Sequence, residues 1–117
     1  MVLLKNIFTL CLFFLGTAFT VFHHGWADYD QTKVLDYTGT IQESVYENPH
    51  ATIKFKYQKK VWNVFLAPTT RMQARGVTPE MIKKGITIRV VGYPHKEVKD
   101  EMRAERIFVE GTKYELR

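Results

Sequence analysis

The sequence predicts a mainly β fold: a small OB-like barrel of five or six strands with one short helical connection, preceded by an N-terminal signal segment. Short segments that alternate between apolar and polar residues, the period of strands with one buried face, recur from residue 35 onward. Their order is three strands, a helical connection and two or three more strands, which is the order of an OB-type barrel. A six-stranded sandwich and an SH3-like barrel are the alternatives.

The composition limits both the size of the protein and its chemistry. With 117 residues, the chain has room for one domain. Its formal net charge of +5 is compatible with anionic partners, although such an excess by itself mainly favours solubility. The single cysteine, Cys11, lies in the apolar leader. The rest of the chain can therefore form no disulfide and no cysteine-based zinc site.

Residues 1–18 have the pattern of a secretory signal peptide. Lys5 precedes an apolar run, and Gly16-Thr17-Ala18 supplies the small residues that a signal peptidase recognises. The run is shorter than the roughly 20 residues that a membrane-spanning helix needs. Because Phe19–Phe22 extends it, an uncleaved anchor is the alternative. We expect a periplasmic or secreted protein that contacts a membrane only through an uncleaved leader.

Residues 19–33 predict an irregular N-terminal arm, because they follow neither the helical nor the strand period. We expect Trp26 to pin this arm to a barrel formed by residues 34–117. Cleavage directly before His23 would place an α-amine beside an imidazole, a strong copper-binding arrangement. Phe22 would then occupy the last leader position, which signal peptidases disfavour, so we expect no coordination by the amine.

The first half of the barrel is predicted as a meander of three strands. Gly39 indicates a bend or bulge in the first strand. Asn48-Pro49 predicts a stiff turn that holds His50 at a corner, because proline restricts its own backbone and that of the residue before it. Residues 58–60 form the next turn. The strands are predicted over Tyr37–Val45, Thr52–Tyr57 and Val61–Leu66.

The second half begins with the helical connection. Thr69 or Thr70 is expected to cap a short helix over Arg71–Arg75, and Thr78-Pro79 is expected to start a second one. Residues 95–102 are charged and predict a loop. The remaining strands are predicted over Ile86–Tyr93, Glu105–Val109 and Lys113–Leu116.

The four histidines lie at the ends of predicted elements, which favours a metal site. Neutral imidazole is the commonest protein ligand of transition metals, and it binds copper and zinc well. We expect His23 and His24 on the arm to join His50 on its turn, with His95 as a fourth candidate. Asp28 and Asp30 are near enough in sequence to add oxygen atoms. The alternative is that these histidines are solvated or only shape their loops.

Other chemistry is less well supported by the sequence. The basic hairpin with Lys54, Lys56, Lys59 and Lys60 would suit an anionic surface, but the strand period puts Tyr57 on the face opposite the lysines. We expect Trp62 in the core, as is usual for aromatic residues of a small barrel. Export removes most nucleic-acid partners. Met72, Met81 and Met102 are expected to pack in the interior. No catalytic motif is present, so we expect a binding protein and not an enzyme. The rival function is a non-metal module that docks an envelope protein or an anionic polymer.

The chain resembles domain-of-unknown-function family 6152, a family of small exported bacterial proteins. The resemblance rests on His23-His24, Thr38–Ile41, Asn48–Ala51, Trp62, Arg71–Gly76 and Lys84–Tyr93. It implies export and an OB-like barrel and supplies no activity. The family more often places the histidine pair directly after an alanine-ending leader and before Ser-Phe. Here Phe22 precedes the pair and Gly25-Trp26 follows it.

Overall fold

The structure is a computed structural model that describes residues 25–117. In this range the sheet order is β3-β2-β1-β4-β5-β6, and β3 also pairs with β5 in parallel. That pairing closes β1–β5 into a mixed barrel and leaves β6 outside it, which confirms the predicted OB-like fold. The strands are β1 (Leu35–Tyr46), β2 (His50–Tyr57), β3 (Lys60–Pro68), β4 (Thr87–Pro94), β5 (Glu101–Val109) and β6 (Thr112–Glu115).

Strand β1 coils so that it belongs to two sides of the barrel. Its first half pairs with β4 and its second half with β2, with a bulge between Ile41 and Glu43. Gly39 lies where the two halves meet. A Cβ atom there would collide with the main-chain oxygen of Lys56, so only glycine allows this approach. The predicted irregularity of β1 is confirmed.

The inward-facing side chains of the strands form one core. Trp62, Tyr57 and the three methionines pack there as predicted, although Tyr57 and Met81 are only partly buried. Lys54 and Lys56 lie on the opposite, exposed side of β2. The largest fully buried side chains include Phe55, Ile41, Leu66, Met72, Met102 and Ile107.

The helical connection covers one end of the core. Helix α1 (Thr69–Ala74) buries Met72, and a 3₁₀ helix (Pro79–Ile82) buries Ile82. The predicted helix is confirmed with bounds shifted by one or two residues. Pro68, not a threonine, occupies the position before α1.

Two predicted boundaries are wrong. Strand β2 begins at His50, so this histidine belongs to the strand and pairs with Pro68. Strand β5 begins at Glu101, so the loop predicted over residues 95–102 ends earlier. The parallel partner β3 orders this stretch despite its charged sequence, since Asn63 pairs with Glu101.

Candidate ligand cleft

A cleft of about 410 Å³ lies on the outer face of β1–β3, beneath the β4–β5 loop. A polar row crosses its floor, because the strand register aligns Glu43 with Lys54, Lys54 with Asn63, and Asn63 with Glu101. The Lys54 ammonium lies 3.4 Å from the Glu43 carboxylate. The row therefore offers hydrogen-bonding groups with part of its charge already neutralised.

A second, more apolar row runs beside the first one. Val45 is aligned with Thr52, and Thr52 with Phe65. Val98 on the β4–β5 loop also lines the cleft. Val45 is 41% exposed and Val98 is 50% exposed, whereas the apolar side chains of the core are at most 7% exposed. The cleft thus has apolar walls around a partly polar floor.

His50 lines this cleft from the start of β2. Its ring meets the ring of Phe65 edge to face, with centroids 4.5 Å apart and planes at 69°. The side chain is half-buried, so it reaches both the protein and the cleft. The sequence placed this histidine in the turn before β2, whereas it is the first residue of the strand.

His95 lines the same cleft from the β4–β5 loop, but its ring is engaged in holding that loop. Its Nδ1 accepts hydrogen bonds from the main-chain N–H groups of Glu97 (3.0 Å) and Val98 (2.9 Å). These two donors require the neutral ring to carry its proton on Nε2. A metal-bound imidazole keeps its proton on one nitrogen and binds through the other. His95 would have to give up its loop contacts to do so.

Tyr29 and Glu101 complete the cluster around His95. The Tyr29 hydroxyl donates to Glu101 Oε2 at 3.0 Å, and His95 Nε2 lies 3.8 Å from the same oxygen. The Tyr29 and His95 rings meet edge to face at 5.1 Å. Burial raises the pKa of the Tyr29 hydroxyl, and the hydrogen bond to Glu101 raises it further. This cluster ties the N-terminal arm to the β4–β5 loop.

Trp26 anchors the arm at the edge of the cleft, as the sequence predicts. The guanidinium carbons of Arg103 and Arg117 each lie 4.3 Å from the centre of its ring. Arg103 also lies 4.7 Å from the ring centre of Phe65. Cation–π attraction of this kind is strongest over tryptophan. Arg103 therefore links the arm to the aromatic side of the cleft.

The structure brings His50 and His95 to one cleft, whereas His23 and His24 lie outside the described residues. Between residues 25 and 117, no three His, Cys, Asp or Glu side chains are grouped so as to hold a metal ion. Asp30 is engaged locally, because its Oδ1 accepts from the Thr32 hydroxyl at 2.6 Å.

The basic hairpin is partly neutralised by neighbouring groups. Lys54 pairs with Glu43, and the Lys60 ammonium lies 2.9 Å from Asp100 Oδ1. Lys60 also stands 4.0 Å from the centre of the Trp62 ring. Tyr57 stacks on Tyr37 at the core side, at a centroid distance of 4.0 Å. These aromatic contacts serve packing between strands.

Tyr29, Phe65, Glu101 and Arg103 were not identified from the sequence as site residues. Phe65 follows the apolar pattern of its strand, and Glu101 and Arg103 lie in or beside a charged run. Only the parallel pairing of β3 with β5 brings them to the cleft. The tyrosine at position 29 has no local signal, because its partner Glu101 is 72 residues away.

Fold and site together define an OB-like barrel with a cleft on the β2–β3 face, where this fold class commonly holds ligands. Residues 13–103 match the sequence model of the family of unknown function DUF6152. The chain belongs to that family, as the motifs in its sequence indicated. Among curated proteins, none matches it in sequence. No helix among residues 25–117 is both long and apolar enough to cross a membrane.

Two structures of TiaS are among the solved structures that resemble the barrel. One is a crystal structure of TiaS in complex with a tRNA and ATP, with a TM-score of 0.52 and 19% identity over 76% of this chain and 20% of that one. The other is the ZRD-deleted mutant of TiaS in complex with agmatine, with a TM-score of 0.49 and 18% identity over 75% of this chain and 25% of that one. The chain spans only a fifth to a quarter of those proteins. The first similarity shows the fold alone.

Proposed function

We propose that this protein is an exported metal-binding protein that takes copper in preference to zinc. His23 and His24 from the N-terminal arm and His50 from the cleft would be the ligands. Imidazole nitrogens suit both metals, and copper binds such a set more tightly than zinc does. The protein would carry, sense or deliver the metal and would not catalyse a reaction. The observation that carries the proposal is the anchoring of the arm beside the cleft that His50 lines.

The contacts from the arm to His50 support this proposal. The Arg103 guanidinium makes cation–π contacts with the rings of Trp26 and Phe65, and the Phe65 ring packs edge to face against the His50 ring. His24 directly precedes Gly25, so the position of Trp26 determines where the histidine pair joins the described fold. The arm and His50 therefore belong to the same side of the barrel.

The contacts of His95 give it a different part in this proposal. Its Nδ1 holds the amides of Glu97 and Val98, so it shapes one wall of the cleft and is not counted among the ligands. Glu101 Oε2 is already bonded to Tyr29. The metal would thus be bound mainly by the arm and His50.

Calorimetric titration of the protein with Cu(II) and Zn(II) tests the proposal. We expect one copper per chain, bound at least about tenfold more weakly in His50→Ala, a loss of about 1.4 kcal/mol. His95→Asn is the matched control, because asparagine oxygen can accept the same two amide bonds while the ring is removed. We expect it to keep the copper affinity. Equal affinity in the protein and His50→Ala would contradict a site that joins the arm and the cleft.

The cleft itself supports a second candidate, a non-metal module that docks a segment of an envelope protein. Its volume of about 410 Å³ lies in the range of small-ligand pockets, roughly 300–1,000 Å³. Its exposed walls, Val45 and Val98, would bury apolar side chains of the partner. Binding of the partner segment would persist when a chelator removes metal ions, and it would be lost in the Phe65→Ala variant. The metal function, by contrast, requires the ion. An anionic polymer, the other partner of this rival function, would need a positively charged surface.

A further inference from the structure

We propose that Arg71 and Arg75 form a second binding site, for a phosphate-type oxyanion, on the outer side of α1. The proposal is independent of the metal function, because neither arginine lines the cleft. The two residues border a shallow surface depression that is also lined by Pro68, Thr70 and Ala74. Arg75 directly follows α1 with a helical backbone, so it lies one turn after Arg71, and both side chains line the same depression.

Both side chains are held in place by the last residues of the chain. Arg71 Nη1 donates to the main-chain oxygen of Leu116 at 3.3 Å, and Arg75 Nη2 donates to that of Arg117 at 3.4 Å. A guanidinium group has five N–H donors, so each side chain retains donors for a ligand. Because the two side chains are already held in place, less side-chain entropy is lost when an anion binds.

Glu115, whose carboxylate interacts electrostatically with Arg75, is already paired with Arg106. The hydrogen bond from Arg106 lowers the pKa of the Glu115 carboxyl most, and the more distant charge of Arg75 adds a smaller effect. Glu115 Oε1 lies 2.8 Å from Arg106 and 3.8 Å from Lys113. In the part of the chain that the structure describes, no side-chain ion pair within 4.0 Å involves Arg71 or Arg75. Arg75 is bonded to the terminal main-chain oxygen of Arg117, which offsets part of its charge, whereas Arg71 is bonded to the uncharged carbonyl of Leu116 and keeps more of its charge for an anion.

Two further arginines strengthen the positive potential. Arg103 and Arg117 both lie on the ring of Trp26. Burial lowers the pKa of the Arg103 guanidinium, and the nearby charges of Arg71 and Arg117 lower it further. Arg117 is 3.6 Å from Glu105 Oε1, which offsets part of this charge. A bound oxyanion would reduce the remaining repulsion between these guanidinium groups.

A phosphate group fits this arrangement best. Planar guanidinium groups bind phosphate oxygens through paired N–H bonds, which a lysine cannot provide. Thr70 is exposed at the same depression and offers a hydroxyl donor. The phosphate can come from a free phosphate compound or from the headgroup of an anionic lipid, since both present the same oxygens.

The first test is a titration of the protein with inorganic phosphate, followed by amide NMR at constant ionic strength against chloride. We expect saturable shifts in residues 70–75 and about tenfold weaker binding in Arg75→Gln, because one guanidinium contact is lost. Arg75 is exposed, so its variant is expected to fold. Arg89→Gln is the matched control, since it removes an exposed arginine that is already paired with Asp36.

Shifts that do not saturate, or equal weakening in both variants, would overturn the proposal. Vesicles of phosphatidylglycerol and of phosphatidylcholine then distinguish the sources. Co-sedimentation with phosphatidylglycerol that falls in Arg75→Gln and persists in Arg89→Gln would assign the site to a lipid headgroup. Phosphate binding without any difference between the variants on vesicles would assign it to a soluble phosphate compound.

Discussion

The β1–β2 turn and the β4–β5 loop stand on two sides of one cleft and carry the same Pro-His pair. Pro49 directly precedes β2, and His50, the first residue of that strand, presents its ring to Phe65 and the cleft. Pro94-His95 ends a strand, and His95 turns Nδ1 back to the amides of its own loop. A local Pro-His motif therefore does not determine what a histidine does. The groups that the fold places around the ring do.

The two walls also differ in how they are supported. The β4–β5 wall depends on an irregular pairing of β4 with β5, in which the β5 main chain closely approaches Gly92, and on a long-range hydrogen bond from Tyr29 to Glu101. The β1–β2 wall depends on sheet pairing, in which Tyr46 is aligned with Ala51 and His50 with Pro68. We therefore expect substitutions to weaken the first wall more than the second.

The largest expected effect comes from Gly92→Ala at the base of the β4–β5 wall. An added Cβ atom would collide with the main-chain oxygen of Arg103, which cannot move without shifting β5. We expect the free energy of unfolding to fall by about 3 kcal/mol or more, measured by urea denaturation. Gly25→Ala is the control, because nothing lies within 4 Å of its added Cβ. Equal stability of the two variants would contradict this account of the wall.

A smaller effect is expected from His95→Ala, which removes the acceptor of two amides. The residues that carry these amides are exposed, so water replaces part of the loss. We expect a destabilisation of about 1–2 kcal/mol. Hydrogen exchange should accelerate at the amides of Glu97 and Val98. His95→Asn should restore most of the protection, and His50→Ala should leave both amides unchanged. Similar exchange in the two alanine variants would remove the distinction between the walls.

The smallest effect at neutral pH is expected from Tyr29→Phe, which removes one hydrogen bond to Glu101 and costs about 1 kcal/mol. Its pH dependence is more informative. The folded-state pKa of Tyr29 is raised, so the unfolded chain loses this proton first. The contribution is complete below about pH 10 and is lost as the pH rises above that value. In this alkaline range the variant should lose stability less steeply than the protein. An unchanged alkaline slope would show that Tyr29 does not titrate there.

Much of the fold was accessible from local pattern. The alternation in β2 and β3 identified their buried faces, and Gly39 marked the coil of β1. The alternation predicted for β1 is wrong after Ile41, because a bulge shifts its phase: Val45 is 41% exposed and Tyr46 packs against the core. Charged residues obscured the start of β5, where pairing with β3 orders the chain from Glu101 onward. The metal hypothesis on His23, His24, His50 and His95 remains a prediction. The structure adds the neighbours of His50 and His95.

The sequence by itself determined the barrel class, the family and the side of β2 that faces the core, since all three depend on periods and motifs along the chain. Only the tertiary structure decided which residues share the cleft. Closing β3 against β5 brings Asn63 beside Glu101 and Phe65 beside Arg103. The tertiary structure also determined the different roles of the two histidines. The fold places two amide donors within about 3 Å of His95 Nδ1, and this nitrogen accepts hydrogen bonds from both. Local sequence does not encode those donors.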